Sequence, residues 1–103
     1  METLNILQRV AFEENKPAFQ TLLPGPGPRV MLLCLRAGQI LAEHSASFPI
    51  TVQALSGRAL FYDAHVPFEM TAGALLRLEA SRPHKVEAQE DTVLLVTMLA
   101  APA

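Results

Sequence analysis

After residue 28 the sequence consists of short apolar segments separated by turn-forming residues, and this pattern restricts the fold more than any other feature. Every break between segments contains glycine, proline, serine or aspartate. The segments cover residues 29–35, 40–43, 50–55, 59–62, 66–70, 74–78, 85–88 and 92–99. Many short strands at nearly regular spacing are typical of a sandwich or barrel. Because no segment here shows a sustained helical period, the sequence predicts an all-β fold.

Residues 1–28 depart from this pattern and are predicted to form a short N-terminal arm that ends in a Pro/Gly turn. Residues 4–7 and 10–12 fit short strands, whereas residues 2–10 also fit a brief helical turn. The arm ends in Pro-Gly-Pro-Gly-Pro, which suits neither a helix interior nor a central strand because proline lacks an N–H donor and fixes φ. The remaining residues, 29–103, are expected to form the barrel, and the two parts together make one domain.

Alternation along the strands assigns side chains to two faces of a sheet. Ile50 and Val52 share one face, while Thr51 and Gln53 share the other. Several strands are apolar on both faces, so we expect the arm or a second subunit to cover the outer side of one sheet. A homodimer is the expected assembly.

Three glycines and two histidines keep the spacing of a two-part pattern: Gly38, His44 and Gly57 in the first part, and Gly73 and His84 in the second. With the flanking sequences Val-Gln-Ala-Leu-Ser-Gly-Arg-Ala and Arg-Pro-His-Lys-Val-Glu-Ala, these spacings resemble the two motifs of small bacterial cupins. The resemblance covers most of residues 29–99. It implies a jelly-roll barrel of two antiparallel sheets.

The resemblance also implies where a metal would bind. Metal-bearing cupins take two histidines and a glutamate from the first motif and a histidine from the second, which assigns His44 and His84 here as metal ligands. The other two positions hold Ala46 and Ile50, or Thr51 with the longer spacing. Two imidazoles make an open and weak site. The expected cofactor is therefore at most a weakly bound divalent transition metal.

By the same resemblance, the binding pocket lies inside the barrel between the two histidines. The residues predicted to line it are His44, Ala46, Ile50, Val52, Leu78 and His84. One hypothesis is a cupin with a degenerate metal site that binds a small molecule without strong catalysis. The second is a metal-dependent enzyme of dioxygenase or isomerase type that uses His44 and His84. The third is a sensor or protein-interaction module, since cupins host many unrelated functions on one fold.

Three further residues carry separate expectations. Tyr62, the only tyrosine, would be the acid if the chain resembled the cupin-like sugar epimerases, which pair a histidine base with a tyrosine acid. His65 lies in a turn and is expected to be exposed. Cys34 lies in an apolar segment and is expected to be a buried small hydrophobe.

Composition excludes several classes of function. The net charge is −2 with no basic cluster, so nucleic acid is not an expected partner. The apolar runs are far shorter than the ~20 residues that span a bilayer, and no signal-peptide pattern occurs at the N-terminus. With Cys34 as the only cysteine, an intrachain disulfide is excluded and a reducing compartment is indicated. The expected location is the cytoplasm.

Overall fold

Nine β-strands and one short 3-10 helix make up the secondary structure of residues 1–24 and 26–99, which the computed structural model describes. The 3-10 helix is Ile6–Gln8, and the strands are β1 (Ala18–Leu23), β2 (Arg29–Leu35), β3 (Ile40–His44), β4 (Ile50–Ser56), β5 (Arg58–Asp63), β6 (Val66–Thr71), β7 (Leu75–Leu78), β8 (His84–Ala88) and β9 (Thr92–Met98). The strands predicted after residue 28 are confirmed, each with boundaries within one residue. Gly25 of the predicted turn and residues 100–103 of the predicted barrel lie outside the described residues.

The strands form two antiparallel sheets, which confirms the predicted fold class. The five-stranded sheet has the order β1-β2-β9-β4-β7, and the four-stranded sheet has the order β3-β8-β5-β6. Strands β5 and β6 form a hairpin with continuous pairing from Arg58–Thr71 to Asp63–Val66. Most other neighbours in the sheets are distant in sequence, as in a jelly roll.

The inner faces of the two sheets enclose the main apolar core. On β4, Ile50, Val52 and Ala54 are buried, whereas Thr51 and Gln53 between them are only partly buried. The predicted alternation on this strand is therefore confirmed. The opposing sheet contributes buried residues of β5, β6 and β8 to the same core.

The N-terminal arm covers the outer face of the five-stranded sheet. A second apolar cluster lies there, with Leu22, Leu32, Cys34 and Val93 buried under the arm side chains Leu4, Ile6, Val10 and Phe12. Side-chain amides hold the arm in place: Gln39 Nε2 donates to the Glu13 carbonyl over 2.8 Å, and Gln20 Nε2 donates to the Arg9 carbonyl over 2.7 Å. The arm therefore covers the outer side of one sheet, which is one of the two expected alternatives. Cys34 is buried, as expected.

The secondary structure of the arm differs from part of the prediction. Residues 4–7 and 10–12 are not strands; the helical alternative is the better one, since Ile6–Gln8 forms a 3-10 turn whose Leu7 N–H donates to the Asn5 side chain. The strand β1 was not predicted. It forms because it pairs with β2 at the edge of the sheet. No helix within residues 1–24 and 26–99 is long and apolar enough to cross a membrane.

Candidate functional site

Two histidines from neighbouring strands meet on the inner face of the four-stranded sheet. His44, the last residue of β3, pairs with His84, the first residue of β8. Their ring centroids are 4.2 Å apart with 60° between the ring planes, an edge-on contact. His84 is 3% exposed, whereas His44 is exposed. The structure thus brings together the two histidines that the motif spacings singled out.

A bulge in β3 turns His44 inwards. Leu41 pairs with Val86, so regular pairing would set Glu43 opposite His84; instead the register shifts and His44 takes that place. Leu41 and His44 therefore both face the interior although they are three residues apart, which unbroken alternation forbids. Without the bulge a carboxylate would lie beside His84. Strand alternation alone could not reveal this.

Both imidazole rings are oriented by backbone carbonyl groups. His44 Nδ1 lies 2.9 Å from the Ala42 carbonyl oxygen, and His84 Nδ1 lies 2.9 Å from the Arg82 carbonyl oxygen. A carbonyl oxygen only accepts, so each Nδ1 carries the proton and donates. The Nε2 atom of each neutral ring is then left with a lone pair.

The surroundings of His84 favour its neutral form. Phe61 stacks on the ring, with centroids 5.5 Å apart and 11° between the planes. Burial lowers the pKa of His84 below the ordinary imidazole value, and the neighbouring His44 adds to the lowering. The hydrogen bond to Arg82 and the charge of Asp63 oppose this shift without cancelling it.

The segment before His84 is held in a fixed conformation. Ser81, at the glycine position of the second motif, has a φ of 65°, the left-handed region that a glycine adopts most readily. Its N–H donates to the Ala46 carbonyl over 2.8 Å. The Arg82 side chain donates to Asp63 Oδ1 from Nε over 3.0 Å and from Nη2 over 2.8 Å. These contacts fix the Arg82 carbonyl that orients His84.

The histidines lie on the wall of a cavity of about 490 Å³ between the two sheets. Its lining is apolar except for the two histidines, Ser45 and Ser47. Of the six residues predicted to line the pocket, five do so: His44, Ala46, Ile50, Val52 and His84. Leu78 does not line the cavity; it is buried in the main core on β7, where it pairs with Ile50.

The cavity also has lining residues that sequence reasoning missed. Phe19 comes from β1, which was not recognised as a strand, and the loop after His44 supplies Ser45, Ser47 and Phe48. Additional lining residues come from recognised strands: Met31, Leu33, Leu41, Phe61, Val86, Leu94, Val96 and Met98. The lining residues on recognised strands could have been found by extending the alternation of inward and outward side chains to every strand. The loop residues carried no such signal.

The donor set does not fit the complete metal centre that the family resemblance implies. Within residues 1–24 and 26–99, no group of three or more histidine, cysteine, aspartate or glutamate side chains could hold a metal ion. Ala46 and Ile50 offer no side-chain donor. Thr51 and Gln53 lie on the outer side of β4, and Glu43, which lies within the bulge, is exposed. His44 and His84 are thus the available pair.

Neither Tyr62 nor His65 belongs to this site. Tyr62 pairs with Lys85 and Pro67 on the outer face of the four-stranded sheet, opposite to Phe61, and the Lys85 ammonium lies 4.5 Å from the tyrosine ring centre. A hydrogen bond with Glu87 raises the pKa of Tyr62. The epimerase-like alternative is wrong because its acid points away from the cavity. His65 is exposed in the turn between β5 and β6, as expected.

Solved structures closely resemble this one. An RmlC-like cupin protein from Desulfovibrio desulfuricans matches with a TM-score of 0.87 and 26% identity, over 96% of this chain and 96% of that chain. A cupin 2 conserved barrel domain protein from Leptotrichia buccalis matches with a TM-score of 0.85 and 26% identity, over 94% of this chain and 47% of that chain. The conserved SPY1581 protein of unknown function from Streptococcus pyogenes matches with a TM-score of 0.85 and 24% identity, over 99% of this chain and 90% of that chain.

The two sheets and the cavity between them define a double-stranded β-helix with an internal pocket. No protein-family model and no curated protein matches the sequence. The solved structures nevertheless settle the class more narrowly: the chain has the fold of the small cupins, and the resemblance drawn from the motif spacings is confirmed.

Proposed function

We propose that this cupin binds a small, mostly apolar molecule in the barrel cavity, next to His44 and His84, without strong catalysis. The observation that carries the proposal is the cavity itself: about 490 Å³, apolar on most of its wall, with two histidines and two serines as its polar lining residues. This volume is roughly three times the ~150 Å³ that accommodates benzene. Both histidines are oriented by carbonyls rather than by carboxylates, so no buried anion supports an imidazolium during proton transfer.

The test uses a probe that requires only the cavity. We expect 2-methoxynaphthalene, an uncharged aromatic ether, to bind the purified protein in calorimetry. The variant Ala46→Trp places an indole in the cavity and should abolish binding. Its matched control is Ala72→Trp, at an exposed turn away from the cavity, which should bind like the wild type. Binding that is unaffected by Ala46→Trp would contradict the proposal, as would stoichiometric metal in protein purified without added metal.

One observation favours a second candidate, a metal-dependent enzyme of dioxygenase or isomerase type. Each histidine donates from Nδ1 to a carbonyl and leaves Nε2 free, which is the usual arrangement of a metal-ligating imidazole. Titration with zinc, iron, nickel and manganese by calorimetry separates the two candidates. Micromolar binding that is lost in His44→Ala and kept in His65→Ala supports the enzyme. Absence of binding by all four metals ends it.

The homodimer expected from the sequence stays a prediction. Leu75, on the outer side of β7, is 65% exposed and pairs with the uncharged Gln53. Light scattering measures the mass directly. A Leu75→Lys variant should shift the protein towards monomer if this side of the sheet pairs, and a wild-type protein that is monomeric at every concentration would overturn the prediction.

A further inference from the structure

The polar wall of the cavity presents hydrogen-bond acceptors. The Nδ1 atoms of His44 and His84 are engaged by carbonyl oxygens, which leaves the two Nε2 lone pairs. Within residues 1–24 and 26–99 no group donates to either Nε2, and no fully buried side-chain nitrogen or oxygen lacks a partner. The Nε2 atom of the buried His84 must therefore be accessible from the cavity.

Among the described residues, the same wall has no fixed positive charge. None of the lining residues is lysine, arginine, aspartate or glutamate. Arg82, close in sequence to His84, directs its guanidinium to Asp63 at 2.8 Å. Apart from the histidines, the polar side chains of the lining are the hydroxyls of Ser45 and Ser47, which are exposed at the rim. An anion that left water for this cavity would find no cation to compensate for its lost hydration.

The buried position of His84 prevents that histidine from supplying the missing charge. The ring is 3% exposed, is stacked on Phe61 and lies 4.2 Å from the His44 ring. A charged imidazolium in this place would lose its hydration and face a second imidazole. His84 therefore acts as a neutral acceptor.

An accessible acceptor in an apolar cavity favours ligands that donate to it. A ligand with a hydroxyl or N–H group supplies the missing hydrogen bond, whereas an ether of the same shape leaves Nε2 without a partner. A site that hydrogen-bonds one ligand group discriminates against the analogue lacking it because its own polar atoms lose their partner. The cavity should therefore bind a ligand that donates a hydrogen bond more tightly than an analogue that cannot.

We propose that the cavity selects a neutral, mostly apolar molecule that carries a hydroxyl or N–H group, and that it discriminates against carboxylates of the same shape. This inference rests on the proposed function and narrows it to a class of ligand. The group donates its hydrogen to the Nε2 atom of His44 or of His84, and the apolar body lies against the inner residues of β2, β4 and β9.

Three probes of one shape test the ligand class: 2-naphthol, 2-methoxynaphthalene and 2-naphthoate, titrated by calorimetry at about pH 8, where an ordinary imidazole is uncharged. They differ in being a donor, an acceptor-only ether and an anion. We expect 2-naphthol to bind about tenfold more tightly than the ether, the value of one net hydrogen bond. The carboxylate should bind most weakly.

Variants assign the preference to the histidines. His44→Phe keeps an aromatic ring of similar shape and removes one acceptor, so the advantage of 2-naphthol over the ether should shrink while the affinity for the ether is retained. That retained affinity also reports that the variant is folded. The control is His65→Phe, at the exposed turn outside the cavity, which should keep the wild-type preference.

The outcomes separate this inference from the proposed function. If the ether binds in the cavity but 2-naphthol binds no more tightly, the ligand class is wrong and the proposed function stands. The same conclusion follows if 2-naphthoate binds best. If His44→Phe leaves the preference intact, the role of His44 as an acceptor is wrong. If none of the three probes binds, the proposed function is contradicted as well.

Discussion

The interior of the barrel has two halves that differ in how completely they are filled. The closed half includes five residues of the main core that are at most 5% exposed and do not line the cavity: Leu35, Ala54, Ala59, Met70 and Ala88. The open half is the cavity wall, where three of the same strands, β2, β4 and β8, present Leu33, Val52 and His84 to an internal space. One set of strands thus provides a packed core at one end and a binding site at the other.

The difference teaches that stability and binding are concentrated at opposite ends. In the closed half, alanines and a glycine turn let the sheets approach closely, so added or removed volume is felt directly. In the open half, space is already present and polar groups face it. We therefore expect substitutions in the closed half to change the free energy of unfolding strongly, and those in the open half to change ligand binding more than stability.

The largest effect is expected for Gly57→Ala, in the turn that closes the packed end. Gly57 has a φ of 87°, and a Cβ there would lie 2.7 Å from Thr92 Cα. Backbone strain and steric displacement together predict a loss of about 4 kcal/mol in urea denaturation. Gly73 has a φ of 94° with no atom within 4 Å of its Cβ position, so Gly73→Ala should lose only about 1–2 kcal/mol. Equal losses of unfolding free energy in the two variants would show that the close approach of Gly57 to Thr92 adds nothing to the cost of the substitution.

The next prediction compares one truncation in both halves. Leu35 is fully buried in the closed half, and Leu41 is partly buried on the cavity wall. Leu35→Ala should reduce the free energy of unfolding by about 3 kcal/mol, because it leaves a new void. Leu41→Ala should cost about 1 kcal/mol, since it enlarges an existing space and removes only partial burial. Similar losses at the two positions would mean that the open half is packed as tightly as the closed half.

The closed half is also the part that the sequence predicts best. Alternation holds there on β5 and β8, where Ala59 and Ala88 are buried and their neighbours Leu60 and Glu87 are only partly buried. The motif glycines mark turns whose φ is positive, for example 87° at Gly57. Local residue preferences and the fold agree there, so pattern reasoning succeeds.

The open half was predicted less completely, for physical reasons. The bulge that brings His44 beside His84 depends on cross-strand pairing, which a single sequence does not display. Phe19 reaches the cavity from β1, an edge strand that pairs only with β2. The arm also covers the outer face of this sheet, so the apolar and polar residues of β1 do not alternate in a simple way. The resemblance places Leu78 in the pocket, but β7 lies at the edge of its sheet and Leu78 packs into the main core without lining the cavity.

A smaller effect is expected from titrating the buried histidine of the open half. The pKa of His84 is lowered in the folded protein, so the unfolded chain binds this proton at a higher pH. Stability should therefore fall as the pH drops from about 6.5 towards the lowered pKa, with a slope of at most about 1.4 kcal/mol per pH unit. His84→Gln should remove this contribution and His65→Gln should retain it, in denaturation followed at several pH values. A slope that is unchanged in His84→Gln would assign it to another group.

The smallest effect is expected for the ion pair beside the cavity, between Asp63 and Arg82. The two side chains are 42% and 52% exposed, so water and salt screen their attraction. A double-mutant cycle with Asp63→Asn and Arg82→Gln should give a coupling energy below about 1 kcal/mol, and high salt should reduce it. The pair holds the segment whose carbonyl orients His84, which makes it a positioning contact for binding rather than a source of stability. A coupling above about 2 kcal/mol, the size found for desolvated charge pairs, would show that the open half contributes to stability as the closed half does.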